Sequence, residues 1–249
     1  MVLMGYAAPL GYMLLLFLSF SVASPAGAGV AHDLTVRLEP ERHLLAGTDR
    51  VTLSGMPAER IVFFLSPRAE IRRLSVNGKA VEYRFERGRV TVPAAGRKPG
   101  AEPRLRVDYA AVFDDPYPET PANTDNPGFG VTGIVSEKGS FLLSGAGWYP
   151  RFAAPVSRFS IEVDAPAGMV AVTAGRSAGR KTENGRTVSF WEVDRAAEAL
   201  SLSAGRYIVT EEKTGGIQVA TYFTAATQPL AGRYLAAVKR YLKMYAELF

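Results

Sequence analysis

From Leu34 onward apolar residues recur at every second position, and turn-forming residues cut that recurrence into strand-length pieces. Leu34, Val36 and Leu38 alternate with Thr35, Arg37 and Glu39, and Val51 and Leu53 with Arg50, Thr52 and Ser54. A period of two puts successive side chains on opposite faces of a strand, one dry and one wet. Asn77-Gly78 and Asn184-Gly185 supply residue pairs that tolerate positive φ, as two-residue hairpin turns require. Arg87-Gly88 and Gly215-Gly216 mark further turns. The pattern predicts a strand over 81–85 through Val81, Tyr83 and Phe85, and others around Val90 and Val92, Leu105 to Tyr109, Phe159 to Val163, Val170 and Val172, Val188 to Trp191, Leu200 to Leu202, and Tyr207 and Val209. Ile61 to Leu65 is continuously apolar and predicts a strand buried on both faces.

Two segments depart from this rhythm. Residues 112–139 hold Pro116, Pro118, Pro121 and Pro127 and predict a long loop. Its carboxylates Asp114, Asp115, Glu119 and Asp125 offer hard oxygen ligands, but their spacing matches no calcium loop, so solvated charge is expected. After Pro229, Leu230, Tyr234, Val238, Tyr241, Tyr245 and Leu248 recur in steps of three and four, the mark of an amphipathic helix with Thr227 as N-cap. The expected architecture is therefore mainly β: a saddle-like antiparallel β-sandwich, then a strand and a C-terminal α-helix that begins a second domain. Its periodic pattern runs on to Leu248-Phe249 without a C-cap glycine, as in an unfinished element.

Tyr12 to Val22 is apolar but short for a membrane span, and suits the core of an export signal. Ala26-Gly27-Ala28 fits a signal-peptidase site, with Gly29-Val30-Ala31 as a second option. No lysine or arginine precedes the stretch, so an uncleaved anchor over residues 5–24 is the other reading. The chain divides into an export segment (1–31), a β-sandwich (32–211) and the start of a further domain (212–249). A periplasmic or extracellular location is expected. Cysteine is absent, so stability rests on the core and not on disulfides.

The net charge of +5 is spread along the chain without a run of like charge, which argues against a nucleic-acid partner. Of the two histidines, His32 stands at the expected mature N-terminus and His43 in a solvated Glu-Arg-His turn. No serine elbow or glycine-rich phosphate loop accompanies them. Adjacent carboxylates such as Glu211 and Glu212 would point to opposite faces of a strand and would not share a proton. Trp148 and Tyr149, beside Pro150, are candidates to line a peptide-binding cleft or to pack a hinge between domains.

The order of these pieces resembles the start of the aminopeptidase N type of zinc metallopeptidases, the superfamily of leukotriene A hydrolase. The resemblance rests on Phe141 to Pro150, on Phe159 to Val163 followed by Pro166 to Val172 with Gly175, on Ser203 to Tyr207, and on the helix Ala236 to Phe249. It implies an N-terminal domain that scaffolds and roofs the peptide cleft of a catalytic domain, the parent removing N-terminal residues from peptides with zinc. The family's H-E-x-x-H and G-x-M-E-N motifs are absent from these 249 residues, so the chain offers no catalytic or metal-ligating residue. No carboxylate or amide between Ser144 and Pro150 matches the family's grip on the substrate amine. The partners implied are a catalytic domain of the same polypeptide and, for the parent, a peptide. Two rival readings stand beside this one: a stand-alone exported β-sandwich binding module, and an inactive aminopeptidase paralogue.

Overall fold

The structure is a computed structural model that describes residues 29–55, 60–93, 102–116, 130–154, 156–195, 197 and 199–248. The export segment at 5–24, the cleavage pattern at 26–28, and Glu119 and Asp125 lie outside the described residues. In chain order the strands are β1 (Gly29–Glu39), β2 (Leu44–Ser54), β3 (Arg60–Phe64), β4 (Glu70–Val76), β5 (Lys79–Ala80), β6 (Arg84–Glu86), β7 (Arg89–Pro93), β8 (Arg104–Val112) and β9 (Gly133–Ser136). There follow β10 (Gly139–Leu142), β11 (Val156–Pro166), β12 (Val170–Thr173), β13 (Arg176–Glu183), β14 (Arg186–Val193), β15 (Leu202–Gly205), β16 (Ile208–Thr214) and β17 (Ile217–Phe223). One helix, α1 (Ala231–Leu248), closes the order.

An eight-stranded sheet runs β13-β14-β11-β1-β2-β8-β4-β5. A four-stranded sheet (β12-β15-β10-β9) and a three-stranded sheet (β3-β7-β6) contribute inward side chains to the same contiguous core. The mainly antiparallel β architecture with a C-terminal helix is thus present. One pairing departs from it: β1 and β11 run parallel, which places residues of the chain's beginning beside a strand formed over a hundred positions later.

Alternation explains the large sheet. In β1 the even positions Val30, His32, Leu34, Val36 and Leu38 are buried, and in β2 the odd positions Leu45, Gly47, Asp49, Val51 and Leu53. Gly47 is required by packing: the Tyr109 ring, directly opposite on β8, lies 2.4 Å from where a Cβ would stand. Both hairpin signals adopt positive φ at both central residues, Asn77 and Gly78 (50° and 79°) and Asn184 and Gly185 (51° and 71°), as do the Arg87-Gly88 turn (48° and 84°) and Gly215-Gly216 (54° and 79°). Gly185 has open space around it, so Gly185→Ala tests backbone conformation without a clash. It is expected to cost about 1 kcal/mol in urea denaturation, from the left-handed conformation it imposes on alanine.

Several expectations are corrected. The β3 segment is buried on one face: Ile61 and Phe63 point inward, while Phe64 is exposed beneath the Arg151 guanidinium. The strand expected over 81–85 is interrupted, since β5 ends at Ala80 and β6 begins at Arg84. The loop expected over 112–139 already contains β9, because Ile134 pairs with Phe141 of β10 and bridges to Asp114. A cleavage after Ala31 would remove residues paired on both sides, to β2 and to β11. Thr227 begins a short 3-10 turn (Gln228–Leu230) ahead of α1 and makes no side-chain cap. Apart from these corrections, residues 211 and 212 both lie in β16, which pairs with β17 along its whole length.

Candidate functional site

A short 3-10 turn (Ser144–Ala146) ends at Gly147 with φ of 68°. A Cβ there would stand 2.4 Å from the Ser66 backbone nitrogen. The chain is then clipped to β3 by reciprocal bonds: Phe64 N–H donates to the Arg151 carbonyl (2.8 Å) and Arg151 N–H to the Phe64 carbonyl (2.9 Å). Between these anchors Trp148 and Tyr149 turn inward, 0% and 1% exposed. Trp148 Nε1–H donates to the Leu200 carbonyl (3.2 Å), and the Tyr149 hydroxyl accepts from the Leu200 N–H (3.2 Å). The Trp148 carbonyl accepts from the Tyr109 hydroxyl at 2.7 Å. Burial lifts both the Tyr109 and the Tyr149 hydroxyl above the ordinary phenol range. Neither aromatic lines a cleft of this chain; both belong to its core, because the clip to β3 turns them away from solvent.

The same segment roofs a buried polar pair. His32 and Asp49 lie diagonally across β1 and β2, with Nδ1 and Oδ2 at 2.7 Å and both side chains fully buried. His32 stacks on Phe159, its direct neighbour on β11, with centroids at 4.5 Å and planes at 15°. Tyr149 and Phe152 close the ring off at 5.9 Å each. Burial raises the Asp49 carboxyl above its ordinary value, against the lowering charge and hydrogen bond of His32. With Asp49 ionised, the ring Nδ1–H is the donor. Among the described residues His32 Nε2 and Asp49 Oδ1 have no hydrogen-bond partner.

A histidine oriented by a carboxylate is two-thirds of a hydrolytic triad. Here no described hydroxyl meets Nε2, and aromatic walls separate the ring from solvent. The pair is therefore a polar element of the core. The sequence reading missed it by placing His32 at the chain's edge; extending the even-numbered run Leu38, Val36, Leu34 by two residues lands on His32, and the odd-numbered run Val51 and Leu53 leads back to Asp49.

His43 is exposed at the left-handed end of the β1–β2 connection, its Nδ1 2.7 Å from the Val135 carbonyl. A catalytic zinc needs imidazole and carboxylate ligands converging on one point. These two rings are committed to different partners, and no group of three such side chains is gathered among the described residues, which do not fit that metal. The Asp114 carboxylate is held by Arg68, whose hydrogen bond and charge keep it below the ordinary carboxylate range. Asp115 accepts from the Thr132 N–H, the Thr132 hydroxyl and the Gly133 N–H at 2.7–2.8 Å. Burial would raise its carboxyl, but those bonds outweigh burial and lower it. Glu211 and Glu212 take different partners, Gln218 and Lys239, as opposite faces of a strand dictate.

The surface that stands out is on α1. Ala231 and Leu235 are buried, and Tyr234 packs edge-on against Phe223 of β17 at 5.3 Å. The apolar stripe read from the sequence is open from Val238 onward: Val238 is 37% exposed, Tyr241 48%, Tyr245 54% and Leu248 66%, with the neighbouring Met244 at 42%. A contiguous apolar stripe on a helix marks an interaction surface.

Neither a family model nor a curated protein sequence matches this chain. Solved structures do. An M1 zinc metallopeptidase from Deinococcus radiodurans superposes with a TM-score of 0.59 at 22% identity, over 78% of this chain and 47% of that one. A form of that enzyme bound to a Tyr-Ser-Ala substrate gives 0.58 at 22% identity, over 78% and 46%. A two-domain M1 zinc metallopeptidase bound to L-tryptophan gives 0.60 at 22% identity, over 78% and 47%. The chain spans about half the length of the solved structures it matches. These likenesses show that the chain has a fold shared with M1 zinc metallopeptidases over about half of their length.

Proposed function

We propose that this chain is the non-catalytic N-terminal domain of an exported zinc aminopeptidase-like protein, scaffolding and roofing the peptide cleft of a catalytic domain on the same polypeptide. The observation that carries this is the open apolar stripe of α1, Val238 to Leu248, on a fold that occupies about half of two-domain metallopeptidases. Covering such a stripe removes apolar surface from water at about 25 cal/mol per Å², and a domain joined covalently does so at high effective concentration. The zinc, and the water it activates for attack on the terminal peptide bond, belong to the proposed catalytic domain. The contribution of this chain is to hold and wall that cleft.

The natural gene product carrying these residues tests the reading. Isolated from its source, it is expected to hold about one zinc per polypeptide, as a three-ligand catalytic site does, and to hydrolyse an alanine-type chromogenic amide. A second arm places Tyr241→Lys and Tyr245→Lys in that product. Limited proteolysis should then release the β domain far faster than in the parent, because two charges would face the buried seam. Absence of both zinc and hydrolysis in the natural product, or an unchanged cleavage rate in the double variant, would overturn the proposal.

A further inference from the structure

The outer face of the β3-β7-β6 sheet carries a cationic cluster that neither the core nor α1 uses. Arg60 on β3, Arg84 on β6, Arg87 in the β6–β7 turn and Arg89 on β7 are all exposed and, with Glu86 and Thr91, line one concavity of about 770 Å³. The other face explains their placement: Ile61 and Phe63 of β3, Val90 and Val92 of β7 and the half-buried Phe85 of β6 point into the core, so alternation drives the arginines outward. Arg84 pairs with Glu86 at 2.7 Å. Arg60, Arg87 and Arg89 have no carboxylate partner among the described residues, although ion pairs occupy arginines elsewhere, such as Arg37, Arg42, Arg68 and Arg186. Among the described residues, four guanidinium groups and one carboxylate leave three positive charges on one small face, an arrangement that repels itself unless anions meet it. At its rim the exposed Phe64 carries the Arg151 guanidinium 5.9 Å above its ring, adding an aromatic and a fifth cation.

The apolar stretch Tyr12 to Val22, read from the sequence as an export signal or an anchor, brings the chain to a membrane. We infer that the arginine face of the β3-β7-β6 sheet docks the domain on an anionic phospholipid bilayer, Arg60, Arg87 and Arg89 engaging lipid phosphates and Phe64 the interfacial region. Guanidinium groups pair with phosphate oxygens through two parallel N–H donors, which lysine cannot do. This inference is independent of zinc and of the peptide cleft.

Co-sedimentation of the full chain with vesicles tests it, comparing phosphatidylcholine alone with 30% phosphatidylglycerol added. The ratio of the two binding constants cancels the contribution of the apolar segment. Each cation near an anionic leaflet strengthens binding about five-fold, so the triple variant Arg60→Ala/Arg87→Ala/Arg89→Ala is expected to lower the ratio about 100-fold. A control of equal charge change, Arg158→Ala/Arg180→Ala/Arg233→Ala, removes exposed arginines from elsewhere and should lower the ratio no more than about five-fold. The inference is overturned by a parent chain with no preference for the anionic vesicles, the result an acidic protein partner would give. It is equally overturned by a control triple that loses as much as the test triple, since net charge alone would then account for binding.

Discussion

Replacing His32 by alanine is expected to destabilise the domain by about 3–5 kcal/mol at neutral pH, because it strands a carboxylate inside the core. Asp49 is fully buried and takes its hydrogen bond from His32. The variant also removes a ring stacked on Phe159 and walled by Tyr149 and Phe152. The loss is pH-dependent, and its sign follows from Asp49. Burial raises this carboxyl above its usual value of 3.8 even with His32 present. A group raised in the folded state contributes stability that is present below 3.8 and lost as pH rises through the folded value. Removing His32 takes away the two influences that lower it, so the deficit is greatest near neutral pH and shrinks as the pH falls toward 3.8. The double variant His32→Leu/Asp49→Leu should recover most of the loss, since an apolar pair needs no partner. Urea denaturation at two pH values measures all of this; a loss for His32→Ala below about 1 kcal/mol would show that the pair is not the desolvated unit described.

Trp148→Ala is expected to cost a further class of stability, about 3–5 kcal/mol, by leaving a cavity in the centre of the core. Trp148 is 0% exposed, packs against Tyr149 at 4.8 Å and donates to the Leu200 carbonyl. Its removal also leaves that buried carbonyl without this donor, and loosens the segment whose backbone accepts from the Tyr109 hydroxyl. Were Trp148 a wall of a peptide cleft, its removal would leave the fold's stability nearly intact. As the contrast, Tyr245→Ala on α1, 54% exposed, should change the stability of the chain by no more than about 0.5 kcal/mol. Chemical denaturation of the two variants side by side separates a core residue from a surface one. Comparable small losses for both would refute the placement of Trp148.

Much of the sheet structure was legible before any coordinates. Turn chemistry is local, so the four positive-φ pairs, Asn77-Gly78 among them, could be read from two residues at a time. Strand faces are nearly local too, because alternation within five residues separates Leu34 from Thr35. The errors fall where a neighbour decides. Ile61 to Leu65 looks buried on both faces by hydropathy, yet only one side of β3 meets the core, and Phe64 is left outside. Trp148 and Tyr149 were legible as a notable aromatic pair but not as core residues, since their direction is set by a backbone clip to β3, more than eighty positions away. The His32–Asp49 pair has no local signature; it exists because β1 and β2 set the two diagonally and β11 brings Phe159 beneath the ring.

The helix makes the same division plain. Its period of three to four established an amphipathic α1 from residue types alone, because helical geometry repeats within one turn. Which stripe of that helix meets the domain was decided by tertiary packing: Ala231 and Leu235 are buried, Tyr234 packs on Phe223 of β17, and the larger stripe through Tyr241 and Tyr245 stays open. The sequence by itself determined most of the strands, the hairpin turns and the helix, whose causes lie within a few residues of one another. Only the tertiary structure decided the parallel β1–β11 pairing, the burial of an ionisable pair and the choice of the open face, because each depends on surfaces brought together from distant parts of the chain.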